Sequence, residues 1–190
     1  MKRIITAAVL MLVTCAAYAE GETKFAVGIA AAFSDYKGDS SFPVDDSGLG
    51  MQLYGQVRPN SWLGVEVGYY NSGDFDSDFV GVPGFDDGSY TMSLRGFNFS
   101  ALGYLPIFNN SDSGLELYIK AGLYDYDIDL VAPVGNSSRP SSLGHETGIY
   151  GGAGIIMNVS ENIGVRTEGI WYDIDNADLW SLNLGIEIGF

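Results

Sequence analysis

Between Trp180 and Phe190 the chain alternates without exception. Trp180, Leu182, Leu184, Ile186, Ile188 and Phe190 share one parity, and Ser181, Asn183, Gly185, Glu187 and Gly189 share the other. A period of two is the repeat of a β-strand, whose successive side chains point to opposite faces. One face of this strand therefore meets an apolar medium and the other a small, polar one. The same reading predicts seven earlier strands, at about 24–33, 49–58, 62–70, 89–104, 115–126, 147–159 and 163–172. In the first, Phe25, Val27, Ile29, Ala31 and Phe33 oppose Ala26, Gly28, Ala30 and Ala32. In the fifth, Leu115, Leu117, Ile119, Ala121 and Leu123 oppose Glu116, Tyr118, Lys120, Gly122 and Tyr124. Only the fourth slips in parity: Tyr90, Met92 and Leu94 give way to Phe97, Phe99 and Ala101 on what reads as the same face. A bulge at Gly96, beside Arg95, absorbs the extra residue in this reading.

The medium follows from which face is uniform. The apolar face carries bulky groups, whereas the other is too rich in glycine and alanine to serve as the water-facing side of a soluble, lipocalin-type barrel. Lipid outside and a small polar lumen inside fit both faces. The connections agree, at roughly 15, 3, 18, 10, 20, 3 and 6 residues in chain order. Odd and even connections of an up-and-down barrel lie on opposite rims, so one rim is short-turned and the other long-looped and acidic. The expected fold is all-β: an eight-stranded antiparallel up-and-down transmembrane β-barrel, with long loops at 34–48, 71–88 and 127–146 on the extracellular side.

Composition and the first residues sharpen this. Met1-Lys2-Arg3 is a basic start, 4–16 is a short apolar run, and Ala17-Tyr18-Ala19 has the small-x-small form of a cleavage site. Residues 1–19 are therefore expected to be a signal peptide and 20–190 the barrel domain. The apolar run is short for a 30 Å span. Cys15 leaves with it, so no disulfide or thiolate chemistry is expected. Loss of Lys2 and Arg3 takes the formal charge from −15 to −17. Such a chain has no basic surface with which to displace counterions from phosphates, so no nucleic-acid partner is expected. Later in the chain no apolar run is long enough for a membrane helix, so insertion requires a closed sheet.

By parity Glu66, Arg95, Glu116, Lys120, Arg166, Glu168 and Glu187 face the lumen. Four carboxylates and three cations in a narrow interior have to pair or hold water, because an isolated charge there is costly. They are expected to form an ion-pair network that closes the lumen. A narrow, weakly cation-selective channel is the alternative. His145, with Ser141, Ser142 and Glu146 nearby, is the one candidate for acyl-transfer chemistry, but closeness in sequence is no substitute for a triad's geometry, and no catalytic role is assigned. Asp74, Asp76 and Asp78, like Asp125, Asp127 and Asp129, recur at every second position. Alternate carboxylates of that kind share a hard cation with lipopolysaccharide phosphates in one reading, but the twelve-residue calcium loop with its distal Glu is absent. No cofactor and no protein-held metal is expected.

The stretches FAVGIAAAF at 25–33, GFNFSALGYLP at 96–106, LYIKAGL at 117–123 and the terminal IEIGF resemble the small OmpA-like outer-membrane β-barrels of Gram-negative bacteria. The resemblance covers 24–190 and implies residence in the cell outer membrane, contact with its lipids and lipopolysaccharide, and a monomeric barrel. It also implies that Phe190 is part of the signal read by the barrel-assembly machinery, and that a chain ending there lacks a wall-binding module. Such folds host several functions. The expected role is structural or surface interaction, with the channel second and a lipid-modifying enzyme third.

Overall fold

A computed structural model of the chain describes residues 23–38, 45–79, 88–109, 114–134, 137–174 and 177–190. The proposed leader, 1–19, lies outside them. The described residues form eight strands: β1 (Lys24–Gly38), β2 (Asp45–Arg58), β3 (Leu63–Phe79), β4 (Gly88–Asn109), β5 (Gly114–Val134), β6 (Ser137–Asn158), β7 (Ile163–Ile174) and β8 (Ala177–Gly189). They pair in chain order, every neighbour antiparallel, and β1 closes on β8. At the seam the Phe190 amide donates to the Phe25 carbonyl at 2.7 Å, and the Phe25 amide donates back at 3.3 Å. A closed sheet leaves no edge within the bilayer, where no water is present to satisfy one. The short turns are tied locally. Asn60 Oδ1 accepts from the amides of Trp62 at 3.0 Å and Leu63 at 2.8 Å, and Ser160 Oγ accepts from that of Ile163 at 3.2 Å.

The outward parity forms the lipid-facing band, with Phe25, Ile29, Phe33, Leu53, Leu123, Ile149, Leu182, Leu184 and Ile186 all exposed. From Trp180 to Phe190 on β8 the band runs about 33 Å along the strand, which a tilted strand converts to about 25 Å of height. Trp171 and Trp180 sit opposite each other across β7 and β8 near its upper limit. Trp62 and Phe190 lie exposed at its lower limit.

Two expectations are corrected. The first is the bulge at Gly96. The β4–β5 ladder runs without interruption through Arg95↔Asp127, Gly96↔Tyr126 and Phe97↔Asp125. Tyr90, Met92 and Leu94 are buried in the lumen and Phe97 faces lipid. The apolar residues change faces while the backbone stays regular, because above the bilayer level the interior is apolar and the outside is wet. Arg95 therefore points outward, its side chain 54 % exposed and paired with Asp129 at 2.5 Å. The register shifts instead at Asn71/Asp74, Pro106/Phe108 and Ile128/Asp129. At the first, Gly73 takes φ +81°, where a Cβ would be strained.

The second correction concerns the long loops. Most of 34–48, 71–88 and 127–146 is strand: β1 reaches Gly38, β3 reaches Phe79, and β5 and β6 meet at Val134↔Ser137. The alternate aspartates are the outward parity of these extensions, and Tyr36, Phe75, Tyr126 and Leu130 are their buried inward parity. Aspartate and glycine read as loop residues, yet here a packed inner face holds them in register. With 21 residues, β5 is about 70 Å long at ~3.3 Å per residue, about twice what the bilayer needs. The ribbons therefore project beyond it.

Candidate functional site

The lumen is where chemistry-bearing side chains gather. Its glycines make the room. A Cβ at Gly154 would lie 2.5 Å from the Tyr118 hydroxyl and one at Gly64 2.9 Å from the Tyr104 ring, while Gly28 and Gly148 give the same close seats to Tyr54 and Tyr124. Each of these tyrosines lies over the neighbouring strand because the glycine beside it there has no side chain.

Four charges form the middle layer. Arg166, on β7, donates to Glu66 on β3 at 2.6 Å and to Glu168 at 2.7 Å, and its Nε donates to the Tyr118 hydroxyl at 2.6 Å. The Tyr118 hydroxyl donates to Glu168 at 2.6 Å. Lys120, on β5, lies 2.9 Å from Glu168 and 3.4 Å from Glu66. Asn183 Nδ2 donates to Glu168 at 3.1 Å and to Gln52 at 2.8 Å. All four charged side chains are buried, and two cations balance two carboxylates, so the layer carries no net charge. The guanidinium also lies 4.3 Å from the Tyr54 ring centroid and 4.6 Å from that of Tyr118.

Below it, toward the short turns, Arg58 on β2 pairs with Glu116 at 2.7 Å and covers the Tyr104 ring at 3.6 Å. Glu187 stands between the layers, 3.9 Å from Arg58 and 4.0 Å from Arg166, with the Tyr54 hydroxyl and Gln56 Nε2 each at 3.4 Å. The structure thus brings together six of the seven charges assigned to the lumen by parity. It excludes Arg95 and adds Arg58. Arg58 was legible: it shares the parity of Gln52, Tyr54 and Gln56, but it sits at the last position of its strand, where a side chain reads as part of the turn.

Above the charges is an aromatic layer that sequence reasoning missed. Tyr70, Tyr124, Tyr126, Tyr150 and Tyr172 are buried together, with ring centroids from 4.8 to 5.9 Å apart. Tyr36, Phe75, Met92, Leu94 and Leu179 continue the cluster upward. The Tyr70 hydroxyl bonds Ser34 at 2.6 Å, and the Tyr124 hydroxyl shares its one proton between Glu146 at 2.9 Å and the Asp173 carbonyl at 2.5 Å.

His145 lies on the outer face of β6 rather than in a loop. Its Nδ1 is 3.1 Å from Asp127 and its Nε2 contacts Asp125, both on β5. Glu146 faces the lumen instead, so the two residues do not share a site, and the side chains of Ser141 and Ser142 lie outside the described ones. Among the described residues, no three His, Cys, Asp or Glu side chains converge to hold a metal ion.

Residues 5–190 match the family described as the outer membrane protein beta-barrel domain. The chain belongs to this family. It is a protein of the cell outer membrane, and the family's β-barrel is the closed eight-stranded sheet described above. Among solved structures it is similar to Ail, the attachment invasion locus protein of Yersinia pestis, at 18 % identity and a TM-score of 0.60, over 90 % of this chain and 100 % of that one. Neisserial surface protein A is similar at 16 % identity and a TM-score of 0.60, over the same shares. A major outer membrane protein of Thermus thermophilus follows at 14 % and 0.57, again over 90 % and 100 %. At such identities the likeness is one of fold. No curated protein matches the chain significantly.

Proposed function

We propose that this barrel is closed to solutes and acts through its extracellular ribbons, as a structural or surface-interaction protein of the outer membrane. The observation that carries the reading is the position of Arg166, which spans the lumen to Glu66 at 2.6 Å while holding Glu168 at 2.7 Å. Opening a path there means separating buried opposite charges, at a cost of several kcal/mol. The tyrosine layer above seals the same lumen a second time. A non-enzymatic role is supported by His145, whose ring is bracketed by two carboxylates on the outer face, away from Glu146.

The partner chemistry follows from the outer surface. Ail has been solved with the heparin analogue sucrose octasulfate. A polyanion does not suit this chain, whose ribbons present Asp74, Asp76 and Asp127 beside the paired Asp125 and Asp129 and whose formal charge is −15. Divalent cations shared with lipopolysaccharide phosphates suit it better, the lipid supplying the remaining oxygens. At the other end, the Phe190 ring is exposed while its backbone closes the seam, so the ring is the candidate contact for the assembly machinery.

Purified protein in a planar bilayer tests the closed lumen. The expected record shows no steps. Small cation-favouring steps would promote the narrow-channel reading, for which the interior's one carboxylate in excess over Arg58, Lys120 and Arg166 is the supporting observation. Large unselective conductance would overturn the closed barrel outright.

A further inference from the structure

Above Tyr150 the sheet is no longer closed around β6. Among the described residues its ladder to β7 ends at Tyr150↔Tyr172, while its ladder to β5 continues to Val134↔Ser137. From 137 to 149, therefore, β6 is held by one neighbouring strand instead of two. That one ladder is itself interrupted, passing from Ile128↔Gly144 to Asp129↔Ser142 and leaving Leu143 without a partner. An extra residue of this kind bends a strand and disrupts the pairing around it. His145, opposite Asp127 in register, stands directly below the interruption. Its Nδ1 is 3.1 Å from Asp127 and its Nε2 contacts Asp125, so one ring ties two residues of β5 to β6 on the outer face. On the inner face the same strands are tied by the Tyr124 hydroxyl and Glu146.

The two contacts define the ring that makes them. A neutral imidazole has one N–H and one lone pair, and would turn the lone pair on one of the two carboxylates. Only the imidazolium donates to both. We propose that His145 is a pH-operated clasp, which orders the β5–β6 ribbon while the ring is protonated and releases it when the ring is neutral. The groups around it leave no substitute for its charge. From β5 it is faced by Asp125 and Asp127, with Asp129 beyond the interruption. Arg95 of β4 is opposite Asp127 in register but is engaged by Asp129. Asp173 of β7 lies beside Gly148, and Glu146 of its own strand points inward. Once the ring is neutral, Asp125 and Asp127 share a face without a counterion, and their repulsion adds to the loss of the tie. Histidine is the side chain that makes this change between about pH 5 and 8. Order is therefore present at the acid end of that range and lost as the pH rises, whereas acid strong enough to protonate the carboxylates opens the clasp again. With the ribbons as the working part of the protein, the reading proposed above, the clasp sets how rigidly this one is presented.

The chain has a single histidine, so its imidazole resonance reports one ring. With the intact protein in lipid nanodiscs, the titration of that resonance is followed alongside hydrogen exchange of the β5 and β6 amides between about pH 5 and 8, corrected for the intrinsic rate. The amides of the upper ribbon should exchange several-fold faster at the higher pH, with the midpoint of the ring's own titration, while those of β8 stay unchanged. In His145→Gln, which cannot charge, the faster exchange should hold at both pH values. Replacing Asp125 and Asp127 together by Asn should leave the ring titrating but uncouple the exchange from it. Corrected exchange that is the same at both pH values in the unaltered protein, or a pH response that survives in His145→Gln, overturns the proposal. Neither result bears on the conductance record, so the clasp and the closed lumen stand or fall separately.

Discussion

The two halves of the lumen are sealed by different physics. The lower half is ionic: each buried charge is held by partners from other strands, as Arg166 of β7 is by Glu66 of β3 and the Tyr118 hydroxyl of β5. The upper half is aromatic, five tyrosines sharing contacts at 4.8 to 5.9 Å, with charges only at its margin, Lys120 against Tyr150 and Glu146 against Tyr124. A paired buried charge is all or nothing, since removing one partner strands the other in a medium that does not solvate it. An aromatic stack degrades by increments, because every ring has several neighbours and loses only one. The same closed barrel should therefore be brittle below and forgiving above, though both halves lie in one continuous sheet.

The largest break should come from Arg166→Met. Glu168 keeps Lys120, Tyr118 and Asn183, but Glu66 is left with Lys120 alone at 3.4 Å. The expected loss is about 3–5 kcal/mol, read as a lower temperature for loss of the compact form on gels. Adding Glu66→Gln removes the stranded charge and should recover part of that loss, a coupling that two independent sites would not give. If the double variant melted no higher than the single one, the ionic layer would not be a coupled network.

Tyr70→Leu probes the other half. Tyr70 stacks on Tyr126 at 5.5 Å and on Tyr172 at 5.3 Å, and its hydroxyl bonds Ser34. Leucine keeps the apolar volume in part but forfeits both ring contacts, each worth about 0.5–1.5 kcal/mol beyond burial. The loss should therefore fall near 1–3 kcal/mol, and no second substitution in the ionic layer should rescue it. Conductance should stay closed, since the lower seal is intact. Open steps in Tyr70→Leu would mean that the aromatic layer is the only seal and the ion pairs are permeable.

The contrast also explains what could be read from the sequence. The ionic half lies inside the bilayer, where lipid outside and charge inside give clean alternation, so Glu66, Glu116, Lys120, Arg166, Glu168 and Glu187 announce their face. The aromatic half lies at and above the bilayer's upper limit, where the outside turns polar and the inside turns apolar. Parity continues there with its sense reversed, and a reader following hydrophobicity alone infers a slipped backbone at Gly96 instead of a changed medium. The repeated Asp-x-Asp of 74–78 and 125–129 carried the missing signal. Between those aspartates stand Phe75, Tyr126 and Ile128, the alternation of a strand. The bulge at Gly73 was not readable, because nothing in Asn71-Ser72-Gly73 distinguishes an extra strand residue from a turn.

The smallest effect tests that boundary directly, through a matched pair of arginines. Arg58 and Arg95 each have one close carboxylate, Glu116 at 2.7 Å and Asp129 at 2.5 Å. Arg58 is inside, 13 % exposed and stacked on Tyr104, whereas Arg95 is outside and 54 % exposed. Water screens the outer pair, and an exposed pair is worth about 0–1 kcal/mol. Arg95→Met should therefore shift the melting temperature very little, and raising the salt concentration should erase what shift there is. Arg58→Met should cost more, because Glu116 loses its close cation and Glu187 keeps only Arg166 at 4.0 Å, and salt should not erase the loss. If Arg95→Met proved as costly as Arg58→Met and equally insensitive to salt, Arg95 would have to face the lumen. The β4 backbone would then need the bulge at Gly96 after all, and Tyr90, Met92 and Leu94 would have to leave the aromatic layer.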